Sequence, residues 1–220
     1  MPIYRGPRFR IIRRLGQLLS FNKRIPKRSN RPGQHGVIRI KFTQFAYRLI
    51  EKQKLRFYYS IFEKQLIRYT KEARNSKNSR DQIIIEKLEI RLDIILYRVG
   101  WAITLPAARQ LVNHCQILVD QKLATLTMFS CQPYQVIKPR KKSKCRKLIK
   151  KTWQDRTQNP SQHLSINMKN MIIVVNRHAF YHEIPFDLNC LLVIEYYSNR
   201  LLFPYIIFTY FLISFKNFLF

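Results

Sequence analysis

The sequence predicts an α+β fold: a helical part that leads into a helix–helix–hairpin module and a small antiparallel sheet. Three observations predict it. From Gln44 to Val99 apolar residues recur every three or four positions, the period of buried helix faces. After Ile117 the apolar runs become short and β-branched, as in Ile117-Leu118-Val119 and Met171–Asn176. Polar turn residues, Asp120-Gln121-Lys122 among them, separate those runs.

Each element has its own local reason. Gln44–Tyr58 reads as a helix, and Ser60-Ile61-Phe62-Glu63 fits a capping box that opens the next. Leu55, Tyr59, Phe62, Leu66, Tyr69 and Ala73 give the two helices one apolar side. Asn75–Arg80 is a polar loop. Asp81 opens a third helix with a stripe of Ile84, Ile85, Leu88, Leu92, Ile95, Leu96 and Val99, ended by Gly100. Thr104 caps a short fourth helix with Pro106 in its first turn and Arg109, Gln110 and His114 along it. Ile117-Leu118-Val119 and Leu123–Thr127 form a hairpin, and Tyr134–Lys138 a third strand. Asp155–Asn170 is polar and broken by Pro160; Met171–Asn176 and Leu191–Tyr197 read as further strands.

Charge sets the partner class. The chain carries a formal +29 over 220 residues, and its first fifty hold thirteen Lys or Arg and no acid before Glu51. Such a charge opposes compaction unless a polyanion neutralises it, and cations that meet phosphates gain affinity by releasing counterions. Gly6, Pro7, Gly16, Pro26, Pro32, Gly33 and Gly36 prevent one long helix, so the opening reads as an irregular basic arm shaped by its partner. A disordered solubilising tail is the plainer reading, but Tyr4, Phe9, Ile11, Ile12, Leu15, Leu18 and Leu19 argue against it. Lys138–Lys151 is a second acid-free block, with nine basic residues in fourteen.

Other classes find little support. Cys115, Cys131, Cys145 and Cys190 stand singly, which disfavours a zinc site or a disulfide framework and favours a reducing compartment. His178 and His182 would lie about 13 Å apart on a strand, too far for one metal. No apolar run precedes the charge that begins at Arg5, so no cleavable signal is expected. No catalytic residues and no cofactor are expected.

Several motifs together resemble a known family. Leu88-Glu89-Ile90-Arg91-Leu92-Asp93-Ile94-Ile95-Leu96-Tyr97-Arg98-Val99-Gly100, Ala108-Arg109-Gln110-Leu111-Val112-Asn113-His114 and Ile117-Leu118-Val119 look like the RNA-binding module of small-subunit ribosomal protein four. Tyr4-Arg5-Gly6-Pro7-Arg8-Phe9 and Ile12-Arg13-Arg14-Leu15-Gly16 resemble the start of its plastid members. Pro32-Gly33-Gln34-His35-Gly36, Glu51-Lys52-Gln53-Lys54-Leu55-Arg56-Phe57 and Val193-Ile194-Glu195-Tyr196-Tyr197-Ser198 follow in the family's order.

The resemblance implies a structural constituent of the small subunit. Such a protein binds the 5′ domain of small-subunit rRNA, nucleates assembly of the subunit body, influences decoding accuracy and touches neighbouring ribosomal proteins. It implies an arm over residues 1–42, a helical domain over 43–87 joined by 187–200, and an inserted RNA-binding module over 88–186. It also implies a plastid ribosome, with the mitochondrion second, and a membrane is not expected as a partner. Candidate rRNA-binding residues are Arg5, Arg8, Arg10, Arg13 and Arg14 in the arm, and Lys52, Lys54 and Arg56 in the helical part. In the module they are Arg109, Gln110 and His114 on the exposed face of the fourth helix, Lys122 at the turn, and Arg140, Lys141 and Lys142. Arg91 and Asp93 are expected to tie the module to its neighbours by ion pairs instead.

Three features depart from the family. Asp120-Gln121 replaces the usual Asn-Gly turn, which suggests a wider or strained one, and Cys115 stands where a basic residue is usual. The tail 201–220 has no counterpart, and its fifteen uncharged residues from 201 to 215 would make a helix of about 22 Å. That is short of the roughly 30 Å hydrocarbon core. A membrane-tethered RNA binder would rest on this tail alone. An RNA-modifying enzyme of the pseudouridine synthase kind would rest on Arg91-Leu92-Asp93, without the glycines and hydroxyls expected around such a site.

Overall fold

In the computed structural model the described residues are 4, 6–38, 41–76, 79–141, 145–155, 161–186 and 188–198. Arg5, Lys142 and the tail 201–220 lie outside them. Helix α1 (Arg8–Leu15) starts after Pro7 and stops at Gly16, whose φ of 94° suits glycine. Ile12, Leu15, Leu18 and Phe21 are buried, and Phe21 meets the Phe57 ring at 5.8 Å. The Ser20 hydroxyl donates to the Tyr58 carbonyl at 2.6 Å, while Leu105 N–H donates to the Ser20 carbonyl. The inner part of the basic arm is therefore seated in the protein's own core. Its aliphatic residues, which distinguish it from a solvating tail, supply that seat, so residues 8–21 take their shape within the protein itself.

Helix α2 (Gln44–Tyr58) begins at Thr43, whose hydroxyl accepts from Ala46 N–H at 3.3 Å. Helix α3 (Glu63–Arg74) follows without the expected capping box: Phe62 holds the N-cap position and Ser60 sits at φ 48°. The Ser60 hydroxyl turns back to the Phe57 carbonyl, and Ile61 N–H bonds the Arg56 carbonyl to close the end of α2. The elbow between the helices has taken the backbone geometry that a cap would need.

The single helix expected from Asp81 to Val99 is two, α4 (Arg80–Glu89) and α5 (Leu92–Val99). Arg91 between them is extended and forms an antiparallel bridge with Ser130. Leu92 N–H bonds the Phe129 carbonyl, and Cys131 N–H bonds the Ile90 carbonyl, both at 2.9 Å. Residues 129–131 hook the chain open, Ser130 standing 39 positions after Arg91. Gly100 ends α5 in the left-handed region, as its position predicts. Helix α6 (Leu105–Asn113) has Thr104 before it and Pro106 in its first turn.

Strands β1 (Ile117–Val119), β2 (Lys122–Leu123), β3 (Val136–Pro139), β4 (Leu164–Asn167) and β5 (Ile172–Val175) form one antiparallel sheet in the order β2-β1-β3-β5-β4. The hairpin turn is tight rather than wide: Val119 pairs with Lys122 across Asp120 and Gln121, at φ 46° and 69°. Two L-residues occupy positions that favour Asn-Gly. Asp120 compensates, since its carboxylate accepts from Val136 N–H at 2.9 Å and its own N–H bonds the Val136 carbonyl. The return strand stops at Leu123, well before Thr127. Helix α7 (Cys145–Gln154) occupies the second basic block, and β4 lies in the stretch read as polar.

Residues 190–198 form a helix, α8, where a strand was expected. Cys190, Val193, Tyr196 and Tyr197 are buried while Leu191 is 65% exposed. That spacing is helical rather than alternating, and the Asn189 side chain accepts from Leu192 N–H near its start.

Two apolar clusters result. One joins Leu15, Leu18, Phe21 and helices α2–α4 to Leu188, Cys190, Val193, Tyr196 and Tyr197. The other lies between the sheet and helices α5, α6 and α7. All eight residues of α5 are buried; Ile94 and Tyr97 face the first cluster, and Leu92, Ile95, Leu96 and Val99 the second. Its two charged residues, Asp93 and Arg98, are buried as ion pairs with Arg91, Arg109 and Glu89.

Candidate nucleic-acid interface

Where the acids go determines which cations are free. Much of the carboxylate charge is used inside the helical body and at the seam between the clusters. Glu63 accepts from Lys52 at 3.0 Å and Tyr197 at 2.7 Å, with Arg56 at 3.8 Å. Burial pushes the Glu63 carboxyl up, but the bonds from Tyr197 and Lys52 hold it below its ordinary value. Lys52 is 5% exposed and also lies over the Tyr196 ring at 4.9 Å. It therefore joins α2 to α3 and α8 and faces no nucleic acid, contrary to the expectation from its motif. The reason is α8, which the strand reading of 191–197 could not place beside it. Lys54 is paired with Glu51 at 2.5 Å.

The larger correction is Arg109, which is 2% exposed and not on the open face of α6. It shares the buried stripe with Leu105 and Val112, whereas Gln110 lies one residue, or about 100° of helix, around toward solvent. Its Nε donates to Asp93 at 2.9 Å, and its Nη2 donates to the carbonyls of Tyr59 at 3.3 Å and Ser60 at 2.6 Å. Arg91 donates to the same Asp93 oxygen at 2.6 Å and reaches the Tyr59 carbonyl at 3.4 Å. Desolvation lowers the Arg109 pKa, partly offset by Asp93. Arg91, Asp93 and Arg109 thus lock the module to the α2–α3 elbow, the structural role expected of the first two.

A second buried network stands beside it. Arg98 donates to Glu89 through Nε at 2.9 Å and Nη2 at 2.6 Å, and to the Tyr58 hydroxyl at 2.9 Å. The Tyr59 hydroxyl donates to Glu89 at 2.5 Å. Burial raises the Glu89 carboxyl, but Arg98, with the Tyr59 hydroxyl and His163, keeps the group below its ordinary value. Burial also pushes the Tyr59 phenol well up.

The cations left in solvent form the candidate interface. On α1, Arg10 and Arg14 are exposed and Arg8 is half-buried. Arg13 is half-buried, and its guanidinium donates to the carbonyls of Asn30 and Arg31, so it fixes the following loop. In the module, Gln110 and His114 are exposed near the end of α6, and Arg140 N–H bonds the Gln116 carbonyl at 2.8 Å. The pairing of Ile117 with Pro139 sets Arg140 and Lys141 at that same end. Lys122 is exposed at the far end of β1, about 7 Å further along the strand. Lys138, opposite Leu118, and Lys147, Lys150 and Lys151 on α7 are exposed as well. Those four were absent from the candidate residues, although the acid-free block that holds them was legible. The exposed amide, imidazole and cations that share the α6–β3 end (Gln110, His114, Arg140 and Lys141) suit a helix of RNA, whose shallow groove displays hydroxyls between phosphates.

Comparison with known proteins gives the family. Residues 3–89 match the family described as ribosomal protein S4/S9 N-terminal domain, and residues 90–128 match the S4 domain. The two matches meet where Arg91 breaks the helix. The small ribosomal subunit protein uS4c of Tupiella akineta is 45% identical over 205 residues, 91% of this chain and all of that protein. The protein uS4 of Thermosynechococcus vestitus is 42% identical over 201 residues, with 91% and 100% covered. The uS4c of Oltmannsiellopsis viridis is 43% identical over 200 residues, with 90% and 100% covered.

Proposed function

The chain belongs to the small ribosomal subunit protein uS4 family, and from that premise we propose that it is a structural, non-catalytic constituent of the small ribosomal subunit that binds small-subunit rRNA. The observation that carries the reading is the separation of charge. Most carboxylates are held in the helical body and the seam, Asp120 at the hairpin and Asp155 after α7 being exposed exceptions, while α1, the α6–β3 end and α7 present cations to solvent. Relatives named uS4c point to a plastid ribosome.

The finer reading follows the family resemblance. The 5′ domain of the rRNA is the binding site, neighbouring ribosomal proteins are partners, and binding nucleates the subunit body and bears on decoding accuracy. The arm over 1–42 and the module over 88–186 carry the contacts, and the helical part over 43–87 with 187–200 supports both. Arg8, Arg10, Arg14, Gln110, His114, Lys122, Arg140 and Lys141 are the contact residues, with Arg5 and Lys142 joining them. The enzyme alternative loses its basis, because Arg91 and Asp93 are wholly buried and bonded to each other. Among the described residues no helix is long and apolar enough to cross a membrane.

Sedimentation tests the reading. The protein should travel with the small subunit and leave it at high salt, and its affinity for a 5′-domain transcript should fall steeply with salt. Affinity that ignores salt, or sedimentation apart from the subunit, overturns it.

A further inference from the structure

Between α1 and the start of α2 lies a cleft of about 660 Å³, within the range of ligand sites. Its lining is mixed in a way that a simple phosphate contact does not require. The Arg31 guanidinium lies over the Phe42 ring, 4.6 Å from its centroid. Val37 and Ile38 form part of the wall with 79% and 60% of their surface exposed. Lys41 completes the rim. Arg31 and Lys41 precede the first acid of the chain, Glu51, whose carboxylate is held by Lys54.

The cleft is also built to keep its shape. Arg13 donates to the carbonyls of Asn30 at 2.6 Å and Arg31 at 3.1 Å, and so pins the loop that forms one wall. Gly36 closes the loop on itself: a Cβ there would stand 1.9 Å from the Arg31 carbonyl oxygen.

We propose that this cleft receives one unstacked nucleotide of the rRNA. The base stacks on the Arg31–Phe42 platform against Val37 and Ile38, and its phosphate lies beside Lys41. Unpaired bases are recognised by stacking on aromatic rings and guanidinium planes. Two apolar side chains left open beside two cations that have no carboxylate partner among the described residues fit a base and its phosphate together. An apolar peptide would leave the cations without use, and a duplex phosphate would leave the apolar wall without use.

The inference rests on the rRNA-binding reading, and the two can fail separately. The test uses the full-length chain and a small-subunit rRNA transcript, with affinity measured across a salt series. Phe42→Ala should weaken binding by about 5- to 150-fold, the effect of losing one base stack, with the salt slope unchanged. Val37→Ser and Ile38→Ser should each weaken it several-fold at unchanged Tm, since both side chains are already in solvent. Lys41→Gln should instead lower the slope by about one. If the wild type binds and the Phe42, Val37 and Ile38 variants bind equally well, the cleft holds no base. If the wild type does not bind the transcript, both readings fall.

Discussion

Arg109 and Asp93 meet at 2.9 Å across the seam between the two apolar clusters, and the carboxylate oxygen that Arg109 uses is the one that Arg91 uses at 2.6 Å. All three side chains are buried. A buried carboxylate between two guanidiniums is needed for their sake more than for its own stabilisation, because either cation alone would be an uncompensated charge. Asp93→Asn should therefore lower unfolding free energy by about 3–5 kcal/mol in a urea titration. A loss below 1 kcal/mol would show that the elbow carbonyls alone suffice to hold the two arginines. Arg109→Lys should lower the urea midpoint as well, since an ammonium cannot reproduce the fork to Asp93, Tyr59 and Ser60.

His163 gives the fold a dependence on acid. It is 3% exposed, and burial lowers its pKa despite the pull of Glu89 and Glu183. An unfolded histidine titrates near 6.5, so below that pH the unfolded chain binds the proton that the folded chain refuses. Stability should be fully present above about pH 6.5 and decline as pH falls toward the lower folded value. Urea midpoints at pH 7.5, 6.5 and 5.5 check this, and His163→Gln should flatten the decline in that window.

The hairpin turn can be improved. Gln121 holds φ 69° with a side chain, whereas glycine adopts that region freely. Gln121→Gly should stabilise the protein by about 1 kcal/mol, seen as a higher urea midpoint. Asp120→Gly should not, because it removes the carboxylate that holds Val136 N–H.

Helix α7 should contribute affinity through charge alone. Lys147, Lys150 and Lys151 are exposed, while Ile149 and Thr152 anchor the helix, the latter through the Trp101 carbonyl at 3.0 Å. Replacing the three lysines by Gln should reduce the salt slope of rRNA binding by about 2–3. Thermal unfolding should be unchanged, and an unchanged slope would remove α7 from the interface.

What was legible in the sequence was what local physics decides. Gln44–Tyr58, the left-handed Gly100, Ile117–Val119 and the short helix behind Thr104 depend on nearby residues, and they stand where their spacing predicts. The failures have a distant partner in common. The periodicity from Ile84 to Val99 runs unbroken through Arg91, so only the hook at Phe129–Cys131 reveals the break. Tyr196 and Tyr197 are aromatic and read as strand, yet their contacts with α2 and α3 require a helix. Arg109 looks like a surface cation until Asp93 is placed opposite it. The candidate interface was legible as blocks of charge, but burial decided which members could serve.

Helix α5 has a consequence for how the molecule comes apart. Its two sides fill two different cores, so neither core can melt without exposing a face of the helix that the other also needs. The protein should unfold as one cooperative unit, with calorimetric and van't Hoff enthalpies in agreement, despite matching two separate families along its length.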